Sequence, residues 1–384
     1  VNMRKLYALF AFVVLLAALF AACAPQPTPA TLSPPSPVPI VSPAAKMVPL
    51  ASAEDPAWQK VVETAKREGK LTIYSYNFVG DIGLALSRAF KERYGINVEI
   101  ITGRGAEFTE RVKMEKRAGR LVADMHDGNA TNAKTMKKEG LTVSIVGELP
   151  VLREKGIWVA DISDIDPQDK HLITFNFTTY SPYVNTKLIK PGEEPRVWKD
   201  LLDPKWAGKM LLSDPAASPL TYQVFVSLMR EKVIDEEFLK ALYKQDLRFV
   251  INLPDEGGIL SRAERHLSIQ GLDTVYSRFI AEGAPIKAVE LSDGTVLGVV
   301  VVVTFEGNPH PNAAKVFTNW LLSTEGQTVY AKAANVASVR KDVPKFLPEA
   351  ARITPRRPIV LTSEDTDEAG KLFRDRWLVK LWGR

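Results

Sequence analysis

Polar residues that could bind a ligand gather in short stretches that follow predicted strands. Seven of them lie where three such strands end: Tyr76, Asn77, Arg104, His126, Asp127, Asn129 and Thr131. Small polar residues at such places cap the next helix and turn its backbone N–H groups towards an anion. An arginine adds a charge-assisted hydrogen bond to a bound oxyanion. These residue types therefore predict a site for an oxygen-rich anion.

Three of these residues have a structural alternative. Asn129 and Thr131 can act as helix caps alone. His126 stands after a strand and before Asp127, where it could face a cleft and contact a ligand or a metal. An isolated histidine is also common as a hydrogen-bonded structural residue. The sequence leaves both interpretations of each residue open.

A second group of candidate ligand-binding residues lies further along the chain. The loop 213–218 joins a predicted strand to a predicted helix, and it places Ser218 and Tyr222 much as the first group is placed. Tyr180 lies in a long apolar stretch, residues 172–184, which is expected to cross from one half of the molecule to the other. These residues extend the predicted site to a second set of strand ends.

A regular alternation of helices and strands has to position these residues. Residues 57–68 and 81–94 have helical spacing of apolar side chains, whereas residues 71–76 and 98–102 have the character of strands. Strands are also predicted at 122–125 and 296–305, and a helix at 257–270. Repeated βαβ units imply a mainly parallel sheet covered by helices, in which ligands bind at the carboxyl ends of strands.

The composition excludes several classes of protein. The chain has 384 residues, of which 46% are hydrophobic and 25% charged, so neither a disordered chain nor a polytopic membrane protein fits. Lys and Arg exceed Asp and Glu by only five (50 against 45), too few to indicate a nucleic-acid partner. A single cysteine excludes a disulfide framework. The sequence contains no P-loop, G-x-S-x-G or H-E-x-x-H motif, which disfavours an enzyme.

The N-terminal residues indicate export. Arg4 and Lys5 precede an uncharged run, residues 6–22, so residues 1–22 are expected to be a signal peptide. Cys23 follows two alanines and resembles the lipidated cysteine of bacterial lipoproteins; the alternative is a buried cysteine in an uncleaved anchor helix. Nine prolines between residues 24 and 50 make residues 23–54 an expected extended tether. A lipid-anchored protein at the extracytoplasmic face of the membrane, or in the periplasm, is predicted.

Two spaced motifs carry a resemblance to a known family. The segment VWKDLLDPKWAGK, residues 197–209, resembles the W-x-D-L-x-x-P-x-W-x-G-K segment of extracellular solute-binding proteins of ABC importers. NPHPNAAK at 308–315 with WLLSTEGQ at 320–327 is similar to their paired helices, and YVNT at 183–186 matches a strand end. The pattern looks closest to the ferric-ion-binding branch. The tryptophans and Phe317 are expected to pack and not to bind.

The resemblance implies a two-lobed α/β protein with the type II periplasmic-binding-protein fold and an interlobe hinge. The first lobe is expected at 55–175 with 290–345, the second at 176–289, and a C-terminal extension packing on a lobe at 346–384. It also implies a monomer that delivers a small solute to an ABC permease without catalysis. A lipid-anchored sensor that signals to a receptor is the alternative, and a gene for a permease or a kinase nearby would distinguish the two.

The resemblance also raises iron as a ligand. The ferric branch holds Fe(III) with two adjacent tyrosines, often with a histidine, a carboxylate and an anion, but residues 270–277 of this chain contain only Tyr276. A ferric site would have to combine Tyr276 with Tyr76, Tyr180 or Tyr222, and with a carboxylate such as those of Asp127 and Asp273, because phenolate and carboxylate oxygens suit this hard ion. Fe(III) with an anion therefore remains a possible transported ligand beside an anion without metal, and no resident cofactor is expected.

Overall fold

A computed structural model describes residues 55–159, 169–215, 219–251 and 253–361. The signal peptide, Cys23, the tether, Ser218 and the last 23 residues, 362–384, lie outside the described residues. Ten α-helices are described, in chain order: α1 Pro56–Glu68, α2 Asp81–Tyr94, α3 Gly105–Arg117, α4 Ala130–Lys138, α5 Pro219–Arg230, α6 Glu236–Tyr243, α7 Leu253–Ser261, α8 Asp273–Ala281, α9 Pro311–Leu321 and α10 Thr324–Ala334.

Eleven strands are described, in chain order: β1 Lys70–Ser75, β2 Asn97–Thr102, β3 Met125–Asn129, β4 Thr142–Val143, β5 Ile173–Asn185, β6 Met210–Ser213, β7 Arg248–Val250, β8 Leu267–Leu272, β9 Ile286–Ala288, β10 Thr295–Phe305 and β11 Pro358–Val360. The main path through the sheet is β2-β1-β3-β10-β5-β8-β6-β7. Strands β4 and β11 pair with β10, and β9 pairs with β5.

Parallel pairings dominate the flanks of this sheet, and antiparallel pairings dominate its centre, where the short pair of β10 and β11 is parallel. On one flank β1 pairs in parallel with β2 and β3, and on the other β6 pairs in parallel with β7 and β8. The expected parallel βαβ units are therefore present. The two long central strands, β5 and β10, are antiparallel to each other. Strand β5 is also antiparallel to β8, and β10 is also antiparallel to β3. The sheet is mixed because these two strands join the flanks.

Local signals explain several helix ends. The Asp55 carboxylate accepts a hydrogen bond from the backbone of Ala57 at 2.9 Å and caps α1, and Pro56 occupies its first turn. The helix ends at Gly69, whose φ of 67° is left-handed. Asp235 caps α6 in the same way, accepting from the backbone of Phe238 at 2.8 Å.

Two predicted elements were wrong. The third strand covers residues 125–129 and not 122–125, because β3 pairs with both β1 and β10 and these pairings hold a polar sequence in an extended conformation. The predicted helix at 257–270 ends at Ser261, since Ala263 takes a left-handed φ of 59°, and residues 267–272 form the buried strand β8 between β5 and β6. Tertiary pairing overrode local propensity at both places.

Separate hydrophobic cores lie on either side of the sheet centre. One core includes Phe175 of β5 and Val300 of β10, and the other includes Tyr180 and Val296 of the same two strands. Between them, residues 177–179 of β5 are only half-buried. Ile359 of β11 packs in the second core. The half-buried middle of β5 thus lies between the two cores.

The aromatic residues of the sequence motifs pack as expected. Trp198, Trp206, Phe317 and Trp320 are all buried, and the Trp198 indole donates a hydrogen bond to the carbonyl of Gly294 at 2.9 Å. Within the described ranges, no helix has the length and apolar character needed to cross a membrane.

Candidate functional site

Two strand ends converge on the middle of β5 from opposite directions. Asn129, the last residue of β3, pairs with Val300 of β10, which in turn pairs with Asn176 of β5. Leu272, the last residue of β8, pairs with Tyr180 of β5. Residues 176–180, called the crossing segment below, therefore lie between the two strand ends. In open α/β sheets such carboxyl ends are where ligands bind.

Asp127 organises the first side of this site. Its carboxylate is fully buried and accepts hydrogen bonds from the Asn77 backbone at 2.9 Å and the Asn77 side chain at 2.8 Å. The Asp127 carbonyl also accepts from the backbone of Tyr76 at 3.2 Å, while the Tyr76 side chain is 54% exposed. Burial raises the pKa of Asp127 to about 6, although hydrogen bonds from Ser75 and Asn77 oppose the rise. Asp127 thus holds the loop that presents Tyr76.

His126 lies in the core of the sheet. Its Nδ1 atom is 2.8 Å from the carbonyl oxygen of Tyr74, and its ring packs 5.7 Å from the ring of Phe108. The Nε2 atom has no hydrogen-bond partner among the described residues. Burial lowers the pKa of His126 to about 4. These contacts support the interpretation of His126 as a structural residue. His126 lies within strand β3 and not, as the sequence predicted, in a loop after the strand.

The remaining candidates on the first side stand at helix starts. Arg104 is exposed and precedes α3 as its N-cap residue without a side-chain cap. Asn129 is exposed and caps α4, accepting from the backbone of Asn132 at 2.9 Å. Thr131 is half-buried in the first turn of α4. Asn129 therefore acts as a helix cap, which was the structural alternative to ligand binding.

Asp273 and Tyr180 form the second side. Asp273 is the first residue of α8, is buried, and accepts hydrogen bonds from the Thr179 hydroxyl at 2.6 Å and the Thr274 backbone at 2.7 Å. Burial raises the pKa of Asp273 to about 6. Burial also raises the pKa of Tyr180, and the charges of Asp273 and Tyr76 add to this effect. The structure therefore brings Tyr76, Tyr180 and Asp273 into one neighbourhood.

Tyr276 has different neighbours. It is fully buried, its ring stacks on that of Tyr183 with centroids 4.3 Å apart, and its hydroxyl donates to Glu256 at 3.3 Å. Tyr222 lies on α5 and packs against the second core. Among the described residues, no group of three His, Cys, Asp or Glu side chains could hold a metal ion. The described contacts of Tyr276 are thus with Tyr183 and Glu256.

Sequence reasoning missed three residues that lie at or beside the crossing segment. Thr179 binds Asp273, and Asn176 occupies the level at which β3 ends. Tyr330 of α10 packs on the rings of Phe78 and Phe175, 6.1 and 5.2 Å away between centroids. Burial raises the pKa of Tyr330, and the charges of both Asp127 and Asp273 raise it further. No sequence signal connects this helix residue to the strand ends.

The chemistry of the site is that of oxygen-rich recognition. Among the described residues, the hydrogen-bond donors to the carboxylates of Asp127 and Asp273 are neutral groups. With pKa values near 6, both carboxyl groups are mostly ionised at neutral pH and accept hydrogen bonds. The Ser75 hydroxyl contacts Asp127, and the Thr179 hydroxyl contacts Asp273. Such a set recognises hydroxyl or amino groups of a small solute.

Comparisons with known proteins agree with this fold. Residues 158–355 match the sequence model of a family described as bacterial extracellular solute-binding protein. An uncharacterised protein of Haemophilus influenzae is 26% identical over 274 residues, which cover 69% of this chain and 76% of that protein.

Two solved structures share the type II fold. The periplasmic binding protein AfuA from Actinobacillus pleuropneumoniae, with fructose-6-phosphate bound, is 17% identical with a TM-score of 0.59, covering 82% of this chain and 98% of that one. Iron-bound HitA from Pseudomonas aeruginosa is 20% identical with a TM-score of 0.61, covering 80% and 98%. The predicted two-lobed type II architecture is confirmed, and the chain belongs to the bacterial extracellular solute-binding protein family.

Proposed function

We propose that this protein captures a small solute at the crossing segment, between two lobes, and delivers it to the permease of an ABC transporter. The observation that carries the proposal is the convergence of β3 and β8 on the half-buried middle of β5. The first lobe comprises residues 55–175 with 290–345, and the second comprises residues 176–289. The two hydrophobic cores support most of this division, although Leu291 and Val296 pack in the second core.

The mechanism is closure around the solute without covalent chemistry. Strands β5 and β10 are the connections that contribute to both cores, so bending within them moves one lobe against the other. A solute that contacts the Tyr76 loop on one side and the start of α8 on the other makes its full set of contacts only when the lobes are closed. Binding therefore shifts the population towards the closed form, which the permease recognises.

The solute we propose is an oxygen-rich organic anion. The contacts of Tyr276 support an anion over Fe(III), because its ring stacks on Tyr183 and its hydroxyl binds Glu256, whereas the proposed site is formed by Tyr76, Tyr180 and Asp273. Arg104 and the backbone N–H groups at the starts of α3 and α4 would hold the negative group. The carboxylates of Asp127 and Asp273 would accept hydrogen bonds from its hydroxyl groups. AfuA, which has the same fold, binds fructose-6-phosphate, a ligand with both kinds of group.

We further propose that Cys23 carries the lipid that anchors the mature chain to the extracytoplasmic face of the membrane, with residues 24–54 as the tether. A lipid-anchored sensor would use the same site and differ only in its partner. Stimulation of the permease ATPase in vesicles distinguishes the two: a transporter's binding protein stimulates it, and a sensor does not.

Binding and closure are testable together. Isothermal titration with fructose 6-phosphate, sulfate and ferric citrate identifies the ligand class, and small-angle scattering with each compound reports compaction. We expect compaction with an organic anion and no visible charge-transfer band. A particle that keeps its dimensions at saturating concentrations of every compound that binds would contradict capture by closure.

A further inference from the structure

Asn176 is a buried polar residue whose hydrogen bonding is incomplete. Its side chain is 1% exposed, and its Oδ1 atom has no hydrogen-bond partner among the described residues. Most buried polar atoms in folded proteins have such a partner, and within β5 the hydroxyl oxygens of Thr174 and Tyr183 share this lack with Asn176. Asn185, at the end of the same strand, shows the usual state: its Nδ2 donates to the Leu260 carbonyl at 2.7 Å and its Oδ1 accepts from the Lys187 backbone at 2.9 Å.

A β-bulge determines where the Asn176 side chain lies. The register between β5 and β10 shifts between Val300 and Val301, so that Phe175 has no paired residue and Asn176 pairs with Val300. Bulges are common beside binding sites because they redirect side chains. Without the extra residue, Asn176 would lie on the opposite face of the sheet. The bulge instead places it on the face of Val300, at the level where β3 ends.

Polar residues continue along this face of the crossing segment. Thr178 pairs with Gly298 and Tyr180 pairs with Val296, so both lie on the same face as Asn176. A Cβ atom at Gly298 would come within 2.6 Å of the Thr178 hydroxyl oxygen and 2.9 Å of the Tyr180 ring. Glycine at this position therefore allows the two side chains to lie over β10. Asn176, Thr178 and Tyr180 form a continuous polar row, which we call the β5 row.

We propose that Asn176 contacts the solute and that its Oδ1 atom accepts a hydrogen bond from an O–H or N–H group of it. This inference rests on the proposed function, because it takes the crossing segment as the binding site. It narrows the solute to one with hydrogen-bond donors, a polyhydroxylated or amino-bearing molecule, and excludes donor-free anions such as sulfate. The neighbouring carboxylates of Asp127 and Asp273 favour the same donors.

Asn176→Leu and Asn185→Leu are a matched pair of variants that test the proposal. Leucine has a similar size and no polar atoms, and the Oδ1 atom of Asn176 has no hydrogen bond to lose, so Asn176→Leu should lower the melting temperature of the ligand-free protein less than Asn185→Leu does. Asn185→Leu breaks two described hydrogen bonds and should lower it by several degrees. Asn176→Leu should weaken the binding of fructose 6-phosphate, or of glucosamine 6-phosphate if the donor is an ammonium group, at least tenfold in isothermal titration.

The other outcomes of these experiments contradict the inference alone or the inference together with the proposed function. If Asn176→Leu binds these probes as tightly as the wild type, or unfolds as early as Asn185→Leu, Asn176 is structural and the inference fails while the proposed function stands. A wild-type protein that closes on sulfate or ferric citrate but binds neither donor-bearing probe also overturns the inference alone. A wild-type protein that neither binds nor closes on any of the four compounds overturns both.

Discussion

Replacing Asp273 with asparagine should stabilise the protein at alkaline pH and have little effect at acidic pH. Asp273 is buried, and its pKa in the folded state rises from 3.8 to about 6 because burial penalises the charged form. The folded protein therefore holds this proton more tightly than the unfolded chain does. The stability that this bound proton contributes is fully present below pH 4 and is lost as the pH rises through about 6.

The size of the effect follows from the change in pKa. A difference of roughly two in pKa corresponds to about 3 kcal/mol of unfolding free energy lost between pH 4 and pH 8. For a folded body of about 300 residues, an unfolding entropy near 0.6 kcal/mol/K makes this about 5 °C in melting temperature. Asparagine can keep both contacts, since its oxygen can accept from the Thr274 backbone and its NH₂ group can donate to the Thr179 hydroxyl.

The assay is thermal unfolding followed by circular dichroism from pH 4.5 to pH 8.5, without ligand. We expect the difference between Asp273→Asn and the wild type to be about a third of its final size at pH 4.5 and about half of it near pH 5, and to level off at about +5 °C above roughly pH 6.5. Asp235→Asn is the control, because Asp235 is an exposed N-cap at which asparagine caps as well as aspartate. A difference that is the same at all pH values, or that falls as the pH rises, refutes the argument.

Three further predictions concern the ligand and the anchor. Arg104→Ala should weaken the binding of fructose 6-phosphate roughly ten- to a hundredfold in isothermal titration, because it removes a charge-assisted contact, and unchanged affinity would place the anion elsewhere. Tyr276→Phe should leave this affinity within about twofold, because the hydroxyl binds Glu256. A charge-transfer band of bound iron that disappears in this variant would contradict this prediction. Cys23→Ala should abolish partition into detergent after expression in a bacterium, and intact-mass data without a diacylglycerol adduct on the wild type would refute lipidation.

The elements that local sequence signals specify were predictable. The capping Asp55 and the terminal Gly69 define α1, and the long apolar run at 296–305 became β10. The strand at 267–272 was not predictable, because its identity depends on pairing with β5 and β6, which lie far away in sequence. Periodicity reports local amphipathicity and carries no information on which strand lies beside which.

The residues of the candidate site were harder to predict from local sequence signals than the helices and strands were. Asp127 and Asp273 could be chosen from the sequence as oxygen ligands, but their burial could not, because it depends on the assembly of elements that lie far apart in the chain. Tyr330 interacts with both carboxylates and is separated from Asp127 by some two hundred residues. Tyr276 was chosen because the family pattern has tyrosines nearby, whereas the fold turns its ring onto Tyr183. Residue type predicted the chemistry, and the fold decided which residues can perform it.

A third buried carboxylate suggests why such groups occur beside the crossing segment. Glu256 of α7 accepts hydrogen bonds from Ser213 at the end of β6 at 2.7 Å, from Ser268 of β8, and from Tyr276 of α8. Burial raises its pKa, because the charged form is disfavoured in the core. An apolar residue there would be less costly but would fix no geometry. The three hydroxyl contacts hold β6, β8 and α8 at one spacing, as Asp127 holds the Tyr76 loop, so both sides of the site would be rigid before the solute arrives and the motion of binding would be confined to β5 and β10.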